Sequence, residues 1–308
     1  MPTGERPELP RFSAKQRKLL ADGALLVSAL IWGGDYVAVK MSLGEITPLY
    51  MTGIRFGIAF LIMLAVFWKR MRRVTRREIV AGGVVGIFMF GGFALQTIGL
   101  QYTTAGKSAF ITSIYAIVLP FISWIFYKRF PGWHVMVGAS VCVAGVAFLS
   151  LDELTGLTGG DILTLVCAVF FALNILSVAH YVRTMDPVVI TVVETGVSAL
   201  LAFIGAFVFE RPLPPVGRTS FFSLVYLVIF GTIGTHLLSN IALKHTPSVH
   251  AGVIFTMESA FAVFFAYLLL QEILSGKMLV GCALILLAII ITELGGILLN
   301  KMTKRRRN

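Results

Sequence analysis

Charged residues are scarce in this sequence. Only 13% of its 308 residues are Asp, Glu, Lys or Arg, whereas 57% are hydrophobic. A soluble domain carries roughly 25% charged residues, so the composition excludes an ordinary soluble protein and predicts an integral membrane protein. The net charge is +11, but the basic residues form short clusters between apolar runs. That pattern indicates membrane orientation rather than nucleic-acid binding.

Cysteine is scarce as well. The three cysteines, Cys142, Cys167 and Cys282, lie inside apolar segments and show no CxxC or Cys/His spacing. This pattern implies no disulfide framework or zinc site and predicts small, buried apolar side chains. We also expect no cleavable signal peptide, because residues 1–18 form a polar, basic tail.

Catalytic motifs are missing from the sequence. There is no HExxH, no GxSxG and no cluster of acidic metal ligands. The stretch "AGKS" (105–108) ends like a phosphate-binding loop, but Gln101 stands where the first glycine is required. We therefore predict no enzyme activity, no cofactor and no metal. Without an ATP site, any transport would be driven by gradients or be facilitated exchange.

Long apolar runs are what the chain has in abundance. A membrane helix needs about 20 mostly apolar residues, and by that rule the sequence predicts ten spans in an all-α integral membrane protein. The predicted spans lie near residues 20–41, 47–68, 78–100, 106–127, 132–150, 161–181, 187–208, 219–241, 249–270 and 276–299. The short connections leave no room for a soluble catalytic domain.

Lysine and arginine predict the orientation. One side of the predicted membrane holds 20 of the 26 basic residues. These lie in the N-terminal tail, at 69–77, 128–129, Arg183 and Lys244, and at 301–307. Because basic connections stay in the cytoplasm, both termini are predicted to be cytoplasmic. The predicted location is the plasma membrane, in a bacterium the inner membrane.

The two halves of the chain resemble each other. The aligned pairs are Asp35 with Asn174, Pro48 with Pro187 and Arg55 with Glu194 at an offset of 139 residues, and Tyr115 with Glu258 at an offset of 143. Each half has an odd number of spans, so the second half enters the membrane from the opposite side. We predict two inverted five-helix repeats, 19–150 and 151–299, between basic tails at 1–18 and 300–308. Such repeats permit alternating access to a central site.

Polar side chains at membrane depth indicate where that site lies. An ionisable group at mid-bilayer costs on the order of 3 kcal/mol or more, so it tends to face a cavity or a partner. One polar stripe is explained by helix packing, but eight predicted spans carry one, which favours a shared water-filled cavity. The candidate substrate-binding residues are Trp32, Asp35, Tyr36, Arg55, Gln96, Tyr115, Asn174, Glu194, His236, Asn240 and Glu258.

The positions of several charged residues predict what their side chains bind. Arg55 and Glu194 are equivalent in the two halves, so we expect them to pair across the repeat interface, as a structural bridge or as a gate. Lys40, Lys107 and His250 lie near the ends of predicted spans. We expect these three side chains to extend to the membrane surface.

Four stretches carry a family resemblance. They are "ALIWGGDYVAVK" (29–40), "IRFGIAFLI" (54–62), "IGLQYTTAGKSAFITSIYAIVLPFISWIFYKR" (98–129) and the segment 241–291, which begins "IALKHTPSVHAGVIFTMESAF". They resemble the EamA-type branch of the drug/metabolite transporter (DMT) superfamily. The resemblance implies ten spans in two inverted five-helix repeats and export of amino acids or other metabolites. Relatives in the superfamily move nucleotide sugars, sugar phosphates or quaternary amines.

The resemblance also bears on individual residues. Lys40, Arg55 and Glu258 stand where the family often has such residues, which implies an architectural role. Asp35 and Glu194 depart from the usual small or apolar choices. Those departures are where substrate preference is expected to lie.

The leading interpretation is a secondary active transporter that exports or exchanges a small polar metabolite, an amino acid or related amine, by alternating access. The acidic candidates would bind an ammonium group, the aromatic ones would contact it by cation–π interactions, and Arg55 would bind a carboxylate. A buried carboxylate would also allow coupling to protons.

Three alternatives stay open. One is a transporter of quaternary amines or cationic drugs, which needs acids and aromatics but no basic partner. Another is a transporter of nucleotide sugars or sugar phosphates, and the last is a non-transporting membrane scaffold. The expected partners are a small-molecule substrate and the lipid bilayer, without nucleic acid, in a monomer or homodimer.

Overall fold

The computed structural model describes residues 13–128, 130, 132–150, 158–210, 216–273 and 275–305. Within those ranges the regular structure is helical. The helices are α1 Ala14–Ser42, α2 Pro48–Val66, α3 Trp68–Met71, α4 Arg76–Leu100, α5 Ala105–Thr112, α6 Tyr115–Tyr127, α7 Trp133–Ser150, α8 Gly159–Tyr181, α9 Pro187–Phe209, α10 Arg218–Val228, α11 Thr235–Leu243, α12 Ser248–Phe255, α13 Met257–Leu270 and α14 Gly276–Arg305. A π-helical turn, Ile229–Gly234, joins α10 to α11.

Eight helical segments of the described chain are long and apolar enough to cross a membrane. They are Gln16–Ser42, Pro48–Val66, Arg76–Leu100, Ala105–Phe126, Gly159–Tyr181, Pro187–Phe209, Arg218–Leu243 and Ser248–Leu270. Two shorter apolar helical stretches, Trp133–Gly145 and Leu279–Ala288, lie within the fifth and tenth predicted spans. The all-α prediction is therefore confirmed, and the count of ten spans stays a prediction.

Helix starts follow local capping chemistry. Pro48 and Pro187 open α2 and α9, where a missing N–H costs nothing because the first turn has no intrahelical acceptor. The side chains of Thr75 and Thr158 accept from the third N–H of α4 and α8, and an acidic side chain at that third position answers each of them. These reciprocal bonds satisfy donors that would otherwise be left without a partner.

Two long helices are broken at equivalent places. One break, at Ser113 and Ile114, separates α5 from α6, and the other, at Thr256, separates α12 from α13. Each second segment then ends on a residue in the left-handed region, Lys128 with φ 54° and Gln271 with φ 56°. These two residues are 143 apart in the chain, the offset at which the sequences align. The two halves thus repeat their irregularities as well as their apolar runs.

Packing between the halves is reciprocal. The equivalent helices α2 and α9 pack against each other, and so do α7 and α14. α1 packs against α13 and α11, just as α8 packs against α6 and α4. Large apolar side chains such as Leu61, Phe207 and Leu268 are exposed on the outside of the bundle, where a bilayer would cover them.

Glycines on α4 bring it close to its neighbours. A Cβ at Gly86 would lie 2.8 Å from the carbonyl oxygen of Glu194 on α9, so that position has no room for a side chain. Gly82 faces Val193, which also belongs to α9, and further along α4 Gly92 faces Phe171 of α8. Small residues at this spacing let membrane helices approach each other closely.

Candidate functional site

A cavity lies in the interior of the bundle, where α1, α4, α6, α8, α11, α12 and α13 meet. Its volume is about 60 Å³, and about 10–15 Å³ by the same measure is enough for one water molecule. The lining residues are Trp32, Asp35, Tyr36, Phe93, Gln96, Tyr115, Phe171, Asn174, Ile175, His236, Ser239, Asn240, Leu243, Phe255 and Glu258. Nine of the eleven candidate residues line this cavity, and Arg55 and Glu194 do not.

The helix α1 contributes three neighbouring side chains to the cavity. Trp32 and Asp35 are three residues apart, and Tyr36 follows directly, so the three share a helical face. The indole of Trp32 contacts the Phe255 ring at a centroid distance of 5.1 Å. The hydroxyl of Tyr36 accepts a hydrogen bond of 2.9 Å from Gln96 Nε2. This bond leaves the Tyr36 proton available to another acceptor.

Glu258 is the acceptor beside that hydroxyl. It is the second residue of α13, directly after the helix break, and its side chain lies next to Tyr36 and Tyr115. Tyr115 occupies the equivalent place at the start of α6. Among the described residues, no lysine or arginine lies within ion-pair distance of Glu258. Glu258 therefore lies at the partly positive start of α13, as a carboxylate on the cavity wall without a cationic partner among the described residues.

Glu194 lies behind the cavity wall rather than in it. Its Oε1 accepts a hydrogen bond of 2.8 Å from Asn240 Nδ2 and lies 3.7 Å from His236 Nδ1. Asn240 Nδ2 also donates to Thr191 Oγ1 at 2.9 Å. Glu194 thus holds the lining residue Asn240 from behind the cavity wall and lies beside His236, and its direct contact with a substrate stays a prediction.

Arg55 also lies outside the lining, and the expected pairing with Glu194 is wrong. Its Nη2 donates to Asp35 Oδ2 at 2.5 Å, and its Nε donates to Thr232 Oγ1 at 2.6 Å. The guanidinium packs over the Phe93 ring at 5.0 Å. The neighbouring carboxylate on α1 is near enough to satisfy Arg55 directly, whereas Glu194 binds α11.

Two of the three side chains expected at the membrane surface bind acceptors of neighbouring segments. Lys107 forms a buried ion pair with Asp161 at 2.9 Å, with side chains 1% and 0% exposed. Lys40 donates from Nζ to the carbonyl oxygens of Leu100 and Thr103 at 2.8 and 2.6 Å. The expectation is wrong for Lys107, whose ammonium is buried against Asp161. Lys40 is partly exposed, and its ammonium binds carbonyl oxygens at the end of α4 and just beyond it.

The third, His250, agrees better with its expected surface position. Its side chain is 36% exposed, with Nε2 lying 3.4 Å from Asp22 Oδ2 on α1. The imidazole thus keeps contact with the surroundings while it joins α12 to the start of the chain's first helix.

The sequence reasoning missed the apolar wall of the cavity. Phe93, Phe171 and Phe255 line it together with Ile175 and Leu243. A sequence signal for the three phenylalanines does exist, since each stands three residues before a polar lining residue, as Trp32 does before Asp35. Residues three apart share a helical face, so an aromatic-x-x-polar pattern within the spans would have found them.

The described part of the chain offers no metal site, since no three His, Cys, Asp or Glu side chains group together there. Cys142, Cys167 and Cys282 are buried as free thiols, as the sequence predicts. The chemistry of the cavity is therefore that of carboxylates, amides, an imidazole and aromatic rings. Such a set is suited to a polar organic molecule, which it could hold by hydrogen bonds and charge.

Several known proteins are similar to this chain in sequence or in fold. The model of the EamA-like transporter family matches twice, over residues 19–151 and 158–294. An uncharacterized transporter of Archaeoglobus fulgidus is 35% identical, over 90% of this chain and 87% of that protein. A solved crystal structure superposes with a TM-score of 0.67 at 18% identity, over 89% of this chain and 96% of that one. The last comparison shows a shared fold.

Two more distant relatives carry names that specify a cargo. A probable amino-acid metabolite efflux pump of Escherichia coli is 25% identical, over 89% of this chain and 95% of that protein. An S-adenosylmethionine/S-adenosylhomocysteine transporter of Chlamydia muridarum is 24% identical, over 89% of this chain and 94% of that protein. These names describe the relatives.

Proposed function

Since this chain belongs to the EamA-like transporter family, we propose that it is a secondary active transporter that exports or exchanges a small amine-bearing metabolite, an amino acid or related amine. The observation that carries the proposal is the central cavity. Helices from both halves contribute to it, and its wall combines carboxylates with aromatic rings. An integral membrane protein with such a wall has a place for a polar cargo at the centre of the bundle.

The duplicated architecture supports alternating access. The family model matches each half separately, and the helix breaks and left-handed helix ends recur at one offset. With five spans in each half, the second copy would be inverted with respect to the first. An exchange of packing between inverted copies opens a central site to each side of the membrane in turn. We therefore keep ten spans and two inverted repeats as part of the proposal.

The charge of the lining supports an amine. Asp35 and Glu258 contribute carboxylates, and the described lining includes no lysine or arginine. An ammonium group would bind Glu258 and contact the faces of Trp32, Tyr36 and Tyr115. Phosphorylated cargo, as carried by transporters of nucleotide sugars or sugar phosphates, would need cationic groups in this lining. The E. coli relative, named for amino-acid metabolites, agrees in class.

A second candidate is a transporter of quaternary amines or cationic drugs. This candidate is favoured because the Arg55 guanidinium binds Asp35 and is not presented to the cavity. A cargo without a carboxylate does not need a guanidinium as its partner. A non-transporting scaffold is disfavoured, because packing alone gives no reason to keep polar side chains around an open cavity.

A thermal-shift screen of the purified protein tests the proposal. We expect amines and amino acids to raise the melting temperature, and nucleotide sugars and sugar phosphates to leave it unchanged. Glu258→Gln should abolish the shift, because it removes the uncompensated carboxylate. Glu45→Gln is the matched control, since Glu45 is exposed and binds the N–H of Gly217 at the end of the bundle. Stabilisation by phosphorylated compounds alone would contradict the proposal.

Transport itself is tested by uptake into proteoliposomes loaded with the stabilising compound. Imposing a pH gradient in the same assay tests coupling to protons, which stays a prediction. Cytoplasmic termini, an inner-membrane location in a bacterium and a monomeric or homodimeric state are further predictions. The distribution of lysine and arginine along the chain supports the first of these.

A further inference from the structure

Arg55 and Asp35 form a buried charge pair at the edge of the cavity. Their side chains are 4% and 8% exposed. Besides Asp35 and Thr232, Arg55 also binds the carbonyl oxygen of Gly231, from Nη2 at 2.6 Å. The guanidinium is therefore held by a carboxylate, a hydroxyl and a carbonyl, and it packs over the Phe93 ring without lining the cavity.

The local backbone is built around this pair. Gly231 lies in the π-helical turn, where the normal helical bonding pattern is shifted. Its carbonyl oxygen accepts from Arg55 and, at 3.2 Å, from Trp32 Nε1. A Cβ at Gly231 would overlap the Asp35 carboxylate, so any larger residue there would displace that carboxylate. Single π-helical turns inside helices are frequent at functional sites.

This arrangement sets the charge that a ligand meets. The Asp35 carboxylate lines the cavity, with Oδ2 on Arg55 and Oδ1 without a hydrogen-bond partner among the described residues. Arg55 itself lines a small adjacent hollow, together with Asp35, Tyr36 and Gln96. The ammonium group of a ligand can pair with Glu258, which has no cationic partner among the described residues. The carboxylate of a ligand could pair only with Arg55, which already binds Asp35, and it would be repelled by Asp35 and Glu258 on the wall.

We propose that Asp35 determines specificity by occupying Arg55, so that the site selects organic amines that lack a carboxylate over the corresponding α-amino acids. The inference rests on the proposed function, because it concerns the same cavity and narrows its cargo. Its physical basis is that a charge already neutralised by an internal partner offers little to a ligand, while like charges nearby repel the wrong one.

Phenethylamine and phenylalanine are the probe pair, because they differ only in the carboxylate. Binding of each is measured by isothermal titration calorimetry on the purified full-length protein. We expect the wild-type protein to bind phenethylamine at least about tenfold more tightly, the factor that corresponds to one charged hydrogen bond. Tighter binding of phenylalanine by the wild-type protein overturns the proposal without any variant.

Asp35→Asn tests the role of the residue. The amide keeps the shape but removes the charge, so the guanidinium beside the cavity is no longer neutralised. We expect the ratio of the phenylalanine affinity to the phenethylamine affinity to rise about tenfold or more. The double variant Asp35→Asn/Arg55→Gln is the matched control, because it removes that cation as well and should lose the gain. Melting curves without ligand verify that each variant is folded.

The outcomes separate this inference from the function on which it rests. An unchanged affinity ratio in Asp35→Asn, with both probes still bound, overturns the specificity role and leaves the transporter proposal intact. The specificity role is likewise overturned if the affinity ratio rises in Asp35→Asn and stays raised in the double variant. If neither probe binds the wild-type protein while other compounds of the screen do, the narrowed cargo is wrong. If no compound of the screen binds or is transported, the proposed function fails too.

Discussion

Replacing Lys107 by methionine would leave the Asp161 carboxylate in the interior without its cation. The two charges are 2.9 Å apart, and their side chains are 1% and 0% exposed. Removing one partner of such a buried pair costs about 3–5 kcal/mol, because the remaining charge is poorly solvated. Asp161 would keep the Thr103 hydroxyl at 3.1 Å and the N–H of Thr158 at 2.9 Å. We therefore expect the low end of that range, about 3 kcal/mol.

Unfolding in detergent micelles by titration with SDS, followed by circular dichroism, measures this cost. A loss of about 3 kcal/mol raises the unfolding equilibrium constant by roughly 100-fold. Lys244→Met is the matched control, since Lys244 is exposed and surface changes cost within about 0.5 kcal/mol. The double variant Lys107→Met/Asp161→Asn buries no charge and should recover at least half of the loss.

Two results would refute this reasoning. One is a cost below about 1 kcal/mol for Lys107→Met, which would mean that no buried pair exists in the folded protein. The other is a double variant that is less stable than Lys107→Met alone. In that case the hydrogen bonds lost with the Asp161 carboxylate would be worth more than the cost of burying that carboxylate without a cation.

The remaining predictions use the same unfolding assay. Gly86→Leu should destabilise the protein by at least about 2 kcal/mol, because a Cβ there would meet the α9 backbone at 2.8 Å. Gly83→Leu, with no atom within 4 Å of its Cβ position, should be neutral, and equal costs for both would contradict the α4–α9 contact. Glu210→Gln should cost about 1 kcal/mol, because Glu210 accepts from two N–H groups at the start of α2, at 2.8 and 3.0 Å. Glu45→Gln should change little, and a loss as large as that of Glu210→Gln would argue against the cap.

Most of the candidate site was predictable from the sequence because polar residues inside apolar spans are conspicuous. Asp35, Gln96, Asn174 and Glu258 stand out along the chain, and helical spacing alone indicates which side chains share a face. Burying such groups is costly, so they gather around one cavity. The apolar wall was missed for the converse reason: Phe93 looks like any other apolar residue of a membrane helix.

The sequence by itself determined that the chain is a bundle of apolar helices in two similar halves, because apolar length and local capping are properties of consecutive residues. Only the tertiary structure decided the partners: Arg55 with Asp35 rather than Glu194, and Lys107 with Asp161 rather than the membrane surface. Pairing depends on the depth and rotation of neighbouring helices, and a nearly uniform apolar sequence specifies neither. The close approach of Gly231 to Asp35 was likewise decided only by the tertiary structure, since it joins segments almost 200 residues apart.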